Sequence, residues 1–169
     1  MIRRLGLSDM QAMVLIRREA LSQDPAAFAA SESSDRALDP ETLKLLLAPS
    51  SPQAVFGAFD GDRLVGMAGV YRPGRGKEHH KAVLWGMYVT PESRRGGLGR
   101  ALLAEVIRFA RSLPGVQQLQ LSVSDSARRA RKMYEEAGFT TWGVEPASLC
   151  VGGEYITVRH MALVFVLSP

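Results

Sequence analysis

Apolar positions along the chain switch between two periods, and the switches mark its elements. Met1 to Leu5 reads as a short first strand. Met13, Ile16, Ala20 and Leu21 then recur at helical spacing, with Ser8 placed to cap the helix and Pro25 to stop it. Asp39-Pro40 opens a second helix through Leu47 by the same cap and first-turn logic. Gln53 to Phe59 and Arg63 to Tyr71 are apolar runs either side of Asp60-Gly61-Asp62, a strong hairpin signal. Lys81 to Thr90 is the next strand; simple alternation puts Trp85, Met87 and Val89 on one face and Leu84 and Tyr88 on the other. After Pro91 the period changes. Leu102, Leu103, Val106, Ile107 and Ala110 form one face of a helix that ends near Leu113-Pro114-Gly115, and Leu119 to Val123 is a short strand. Ala127, Ala130, Tyr134 and Ala137 describe another helix, with Gly138 as its C-terminal cap. Phe139 to Val144 and Ile156 to Leu167 close the chain as strands, the latter long and apolar enough to be central.

The predicted order is β-α-α-β-β-β-α-β-α-β-β. Hairpins impose antiparallel neighbours, while the helix between Thr90 and Leu119 permits one parallel crossover, so the sheet is mixed. SESSD and APSSP mark surface loops, and no repeat or long linker divides residues 1–169, which read as a single domain. With 46% hydrophobic and 22% charged residues among 169, disorder as the main state is excluded. The single cysteine, Cys150, rules out a disulfide framework and a Cys-rich zinc site. No apolar run approaches the roughly 20 residues of a membrane span, so the expectation is a cytoplasmic protein with no membrane partner. A net charge of +4 favours anionic ligands without demanding nucleic acid.

The positive charge gathers at one turn. Thr90-Pro91-Glu92-Ser93-Arg94-Arg95-Gly96-Gly97-Leu98-Gly99-Arg100 joins a strand to an amphipathic helix, so free backbone N–H groups collect at a positive helix terminus. Glycines let backbone approach a phosphate closely, and Arg94, Arg95 and Arg100 add charge. A dinucleotide fingerprint needs a third glycine where Leu102 stands, and a Walker loop needs a Gly-Lys-Ser/Thr ending that is absent; both readings fail. The turn alone is equally consistent with mere punctuation between strand and helix. Tyr134, on the alanine face of its helix, reads by itself as a core aromatic, and Arg128, Arg129, Arg131 and Lys132 as a solvated face or a ring around a polyanion.

Together, the strand LWGMYVTPE, the turn RRGGLGRALL and the helix RKMYEEAGF strongly resemble the GNAT superfamily of acyl-CoA-dependent N-acyltransferases, with 37 residues from Gly97 to Tyr134. The resemblance implies an α/β fold: a central mixed, mostly antiparallel sheet of about seven strands, flanked by about four helices and splayed between the strands near 81–90 and 119–123. It implies acetyl-CoA as cosubstrate. The family's Gln/Arg-x-x-Gly-x-Gly/Ala turn falls on Arg94, Gly97 and Gly99. The cofactor-binding set is then Arg94, Arg95, Gly96, Gly97, Leu98, Gly99, Arg100 and Arg128, with main-chain groups of Met87 and Val89 holding the pantetheine arm. Gly86 is compatible with a bulge or a close backbone approach in that strand. Tyr134 matches the family's general acid toward the leaving thiolate; a phenol near pKa 10 facing a thiol near 8.5 is a mismatch of roughly 2 kcal/mol, which one good hydrogen bond offsets. The family often carries Asn seven residues before this Tyr, and here that position is Ala127.

The acceptor amine must lose a proton, and Glu145, just after the strand Phe139 to Val144, and Glu32, in the N-terminal helical region, are base candidates by position. Acceptor selectivity is expected from the first two helices and a loop from Glu145 to Tyr155. Glu78, His79 and His80 are adjacent on an extended chain, point to opposite sides and read as a solvated loop, so no metal is expected. Cys150 has no identifiable base partner, which favours direct attack by the amine. The expected function is therefore acetyl transfer from acetyl-CoA to a primary amine, with a non-catalytic CoA-binding sensor or interaction module as the alternative. The basic clusters lack the interleaved aromatics of a nucleic-acid site, and a second copy of the chain stands as a candidate partner.

Overall fold

A computed structural model describes residues 1–49 and 52–165. Their elements run β1 (Ile2–Arg4), α1 (Met10–Gln23), α2 (Pro40–Leu47), β2 (Gln53–Asp60), β3 (Arg63–Tyr71), β4 (Lys81–Val89), α3 (Leu98–Ser112), β5 (Gln118–Ser124), α4 (Arg128–Glu136), β6 (Thr140–Val151) and β7 (Glu154–Val164). The strands form one sheet in the order β1-β2-β3-β4-β5-β7-β6, antiparallel throughout except for β4 and β5. Mixed pairing, strand number and helix number are as the sequence predicts. β7 pairs on both sides and is interior, as expected of its apolar run; Val166 and Leu167 of that predicted strand lie outside the described residues, as do Ser50 and Ser51 of the APSSP loop.

Each face of the sheet is covered by helices, which gives two cores. Leu102, Leu103 and Val106 of α3 and Tyr134 of α4 pack with Ala82, Leu84, Leu119, Leu121 and Met161 on one face. Met13, Ile16 and Ala20 of α1 and Leu43 and Leu47 of α2 pack with Val55, Met67 and Tyr88 on the other. β4 corrects the simple alternation. Tyr88 pairs with Met67 and Trp85 with Gly69, so Gly86 and Met87 together oppose Ala68, and Gly86 takes a positive φ of 64°. This bulge inserts one residue and reverses the facing beyond it. Leu84, Met87 and Val89 therefore meet the α3/α4 core, while Trp85 and Tyr88 meet the α1/α2 core.

Three other local readings change. Ser8 lies within a 3-10 turn (Leu7–Asp9), and the group that organises the start of α1 is the Asp9 carboxylate, which accepts from Gly6 N at 2.8 Å and from Arg3 at 2.7 Å. Arg3, then the Gly6 amide, holds that carboxyl below the usual range against the opposing effect of burial. Residues 145–155 are not a loop: β6 runs to Val151 and turns through Gly152-Gly153 into β7. β6 is mostly exposed, and register shifts between Thr141 and Gly143 and between Glu145 and Leu149 erase the alternation that would have announced it. Finally, the SESSD loop ends in a buried residue. Asp35 Oδ2 accepts from Arg17 Nε at 2.8 Å and Nη2 at 2.6 Å, both side chains being under 10% exposed. Asp35 also accepts from Ala37 N at 2.7 Å, so one carboxylate ties the 31–39 segment to α1.

Removing one member of a buried ion pair leaves the other charge uncompensated. Asp35→Ala is accordingly expected to lower unfolding free energy by about 3–5 kcal/mol, measured as a fall in the urea midpoint at unchanged slope.

Candidate active site

β4 and β5 pair only at Lys81 with Gln118, Ala82 with Leu119 and Val83 with Gln120. Beyond Val83 both strands continue without pairing to each other, and the sheet opens into the V that the resemblance implies. A cleft of about 1060 Å³ fills the opening and extends across the α3 and α4 termini. Met87, Tyr88 and Val89 line it from β4, Ser124 from β5, Ser126 and Ala127 from the loop that follows, and Arg128 to Ala130 with Met133 from α4. Gln23 to Ala27, at the end of α1, close its outer side.

At one end the cleft meets the glycine turn. Gly97 caps α3 in the left-handed region at φ 79°, and the first backbone bond of the helix runs from Ala101 N to Gly97 O at 3.0 Å. The amides of Leu98, Gly99 and Arg100 are thus the free donors of a helix N-terminus, and their residues line the cleft. A Cβ on Gly97 would meet nothing within 4 Å, so the space there is open for an anion. Gly99 acts differently: a Cβ would sit 3.3 Å from Met133 Sδ, so this glycine lets α3 and α4 approach each other. Arg95 also has a positive φ, 75°, an uncommon conformation for a side-chain-bearing residue and one concentrated at ligand-holding turns.

Most of the residues predicted to bind a cofactor converge here. Arg94, Arg95, Gly97, Leu98, Gly99, Arg100, Arg128, Met87 and Val89 all line the cleft, whereas Gly96 does not. Arg94 is committed to the protein: its Nε donates to Val89 O at 2.9 Å and its Nη2 to Asp24 Oδ2 at 2.6 Å, which pins the turn to β4 and to the end of α1. Arg100 is paired with Glu136 of α4, whose carboxyl it holds below the usual range. The loop into α4 is fixed by Asp125, which accepts from Arg131 and Arg159; Arg159 first, then Arg131, keeps that carboxyl depressed. Ala127 lines the cleft, and beside it Ser124 and Ser126, hydrogen-bonded to each other at 2.8 Å, present hydroxyls that the sequence reading missed.

Tyr134 is 4% exposed and packs edge-on against Phe139 at 5.8 Å, in the α3/α4 core and outside the lining of the cleft. Burial pushes its phenol well above the ordinary value, and its hydroxyl has no hydrogen-bond partner among the described residues. The two base candidates stand apart from the cleft lining. Glu32 is in an exposed turn, not a helix, paired with Arg18 at 3.0 Å. Glu145 lies within β6, paired with His160 Nε2 at 3.0 Å. On the α1 face, Arg17 packs over Phe28 at 4.6 Å and near Trp85 at 5.8 Å; its Nη1 has no partner among the described residues and lies 3.6 Å from where a Gly86 Cβ would be. Glu78 and His79 sit on an exposed turn, and no cluster of three metal-ligating side chains occurs among the described residues.

A sheet splayed beside a glycine-capped helix N-terminus defines a class, and comparison with known proteins agrees. A family model for the acetyltransferase (GNAT) family matches residues 16–139, and the chain belongs to that family. Mycothiol acetyltransferase of Geodermatophilus obscurus is 33% identical over 96 residues, 56% of this chain and 31% of that protein. The protein of the same name from Streptosporangium roseum is 34% identical over 86 residues, 50% of this chain and 25% of its own. The match spans less than a third of the length of either relative. Among solved structures, the acetyltransferase of GNAT family from Streptococcus pneumoniae aligns over 98% of this chain and 99% of its own, with a TM-score of 0.86 and 24% identity. The structure of yncA from Salmonella typhimurium with its cofactor acetyl-CoA aligns over 100% and 95%, with a TM-score of 0.84 and 20% identity. These likenesses show the fold.

Gly97→Val tests the turn as an anion site, because the added side chain meets open space rather than protein. Left-handed backbone costs a branched residue about 1–2 kcal/mol of stability. Acetyl-CoA affinity, measured by calorimetry on the folded variant, is expected to fall by more than about tenfold, whereas unchanged affinity would remove the phosphate reading of the turn.

Proposed function

We propose that the protein transfers the acetyl group of acetyl-CoA to a primary amine by direct attack within a ternary complex. The observation that carries this reading is the open Gly97 terminus of α3 at one end of a cleft whose other end is the unpaired edge of β4 and β5. The free amides of Leu98, Gly99 and Arg100 hold the pyrophosphate, with Arg95, Arg100 and Arg128 supplying charge. Main-chain groups at Met87 and Val89 hold the pantetheine arm as an added strand would be held. The Val89 carbonyl already accepts from Arg94, so its share of that contact falls to the amide. Where the family often has Asn, the Ser124 and Ser126 hydroxyls take over the polar contact beside Ala127. Acetyl-CoA supplies an activated acyl carbon and a thiolate leaving group.

Tyr134 is the proton donor to that thiolate. Its hydroxyl has no competing partner among the described residues, and burial keeps the phenol protonated through the working pH range. The same low-dielectric surroundings raise the basicity of a departing thiolate, so burial does not widen the mismatch between donor and acceptor. The edge strand β6 and the hairpin it forms with β7 expose Val144 and Tyr155, the surface we assign to a second copy of the chain.

A CoA-release assay with acetyl-CoA over a panel of small amines, amino acids, amino acid amides and peptides tests the reading. Acetyl-CoA binding with no CoA release across the panel would favour the non-catalytic binding module instead. Tyr134→Phe keeps the ring against Phe139 and removes the donor. We expect kcat to fall by about 100- to 10,000-fold with acetyl-CoA affinity unchanged; a loss well under tenfold would transfer the role to water or another group.

A further inference from the structure

The α1 face of the sheet carries a second set of chemical groups at the apex of the V. Val83 and Gln120 are the last paired residues of β4 and β5, and two residues on, Trp85 and Ser122 stand across the opening on that same face. Ser122 is therefore level with the bulge at Gly86, about 7 Å along β5 from Ser124 of the cleft lining. Its Oγ is 2.9 Å from His160 Nδ1 of β7, and His160 Nε2 is 3.0 Å from Glu145 Oε2 of β6. The register shift in β6 lays Trp142 over the imidazole, ring centres 5.3 Å apart and stacked. Three adjacent strands thus align a hydroxyl, an imidazole and a carboxylate. The 3-10 turn at Pro25–Ala27, next to the cleft, packs against both β5 and β6.

We propose that Ser122 and His160 form the relay that takes the proton from the acceptor amine, with Glu145 as the residue that positions His160. This rests on the acetyl-transfer reading above. Glu145 accepts from Nε2–H, which leaves the lone pair on Nδ1, and Ser122 donates its hydroxyl to that lone pair. Ser122 is exposed, so the remaining lone pairs of its Oγ are accessible from the α1 face. An ammonium bound there gives a proton to Oγ as the Oγ proton passes to Nδ1. One positive charge moves from nitrogen to imidazole, where Glu145 compensates it. The neutral amine attacks the thioester carbon, the C–S bond breaks, the thiolate takes the second nitrogen proton through Tyr134, and His160 returns its proton to solvent. Glu145 is the one ionisable side chain bonded to His160 among the described residues; the adjacent Arg159 is bonded to Asp125, and Asp24, beside the 25–27 turn, to Arg94.

The test has one arm that needs no turnover. Long-range proton–nitrogen NMR of the labelled protein well above neutral pH is expected to show His160 as the Nε2–H tautomer, and Ser122→Ala to move the Nδ1 resonance. An Nδ1–H tautomer, or an Nδ1 signal indifferent to Ser122→Ala, overturns the relay. The second arm measures kcat/KM against pH with leucinamide as the probe amine. His160→Gln and Ser122→Ala are each expected to lower it by about 100- to 10,000-fold, and His160→Gln to abolish the acidic limb. Glu145→Gln should give a smaller loss and populate the Nδ1–H tautomer in the NMR measurement, since an amide can donate to Nε2 as well as accept from it. An acidic limb that survives His160→Gln, in a variant with unchanged acetyl-CoA affinity, assigns the proton elsewhere and overturns the proposal. Wild-type protein that binds acetyl-CoA but turns over neither leucinamide nor any panel amine is a failure of the acetyl-transfer reading, and the tautomer measurement still judges the relay.

Discussion

The parting of β4 from β5 after three residue pairs is the constraint on which the rest of the structure depends. A sheet interior that opens leaves two rows of backbone donors and acceptors unpaired, and such groups are costly unless water or a ligand meets them. The fold keeps the V apart from several sides. The Gly86 bulge bends β4 and turns its later residues over. Asp125, held by Arg131 and Arg159, sets the loop by which β5 leaves the sheet for α4. Arg94 ties β4, the glycine turn and the end of α1 together with two hydrogen bonds. The opening is therefore built in by side chains that have their own partners, and a bound extended arm has no need to force the strands apart.

The two cores divide the labour that follows from this opening. The α3/α4 face carries the end of the cleft with free amides, because the helix that follows β4 starts at the mouth of the V and its first residues line the cleft. The α1 face carries a different set of groups: Arg17 beside Gly86, with a nitrogen that has no partner among the described residues, the partly exposed rings of Phe28 and Trp85, and the Ser122–His160–Glu145 line on the strands beyond. In the proposed reaction, a thioester lying through the V is served by the leaving thiolate's proton donor on one face and by the amine's relay on the other. Tyr134 belongs to the first core and His160 to the second face, so the sheet itself lies between the phenol and the imidazole.

Much of this was legible in the sequence, and the reason is local. Helix and strand periods, the Asp-Gly hairpin and the Pro boundaries depend on neighbours a few residues away, and these located the elements to within a few residues, apart from the β6/β7 hairpin. The glycine turn was legible for the same reason: strand, glycines and amphipathic helix are contiguous, so the free amides of the helix N-terminus are a local property of residues 90–100. Even there the chain alone could not say which glycine did what. Gly97 is open to a ligand and Gly99 is a contact between helices, a distinction made by Met133 from another element.

What the tertiary structure decided were pairings across long stretches of chain. One bulge at Gly86 reversed the facing of Met87, Tyr88 and Val89, because a period of two has no memory once a residue is inserted. Asp35, in a run of serines that reads as solvent-exposed, is buried because Arg17 on α1 reaches it. Glu32 and Glu145 looked alike as carboxylates near an acceptor site; the fold paired one with exposed Arg18 and the other with His160. Ser122 and His160 are 38 residues apart and carry no motif, so only the register of β5 against β7 brings hydroxyl and imidazole together. The sequence by itself determined the elements and the glycine turn, since short-range sterics and hydrogen bonding dictate both. The side-chain alignments on the α1 face were decided by strand register and helix docking, which depend on the whole chain at once.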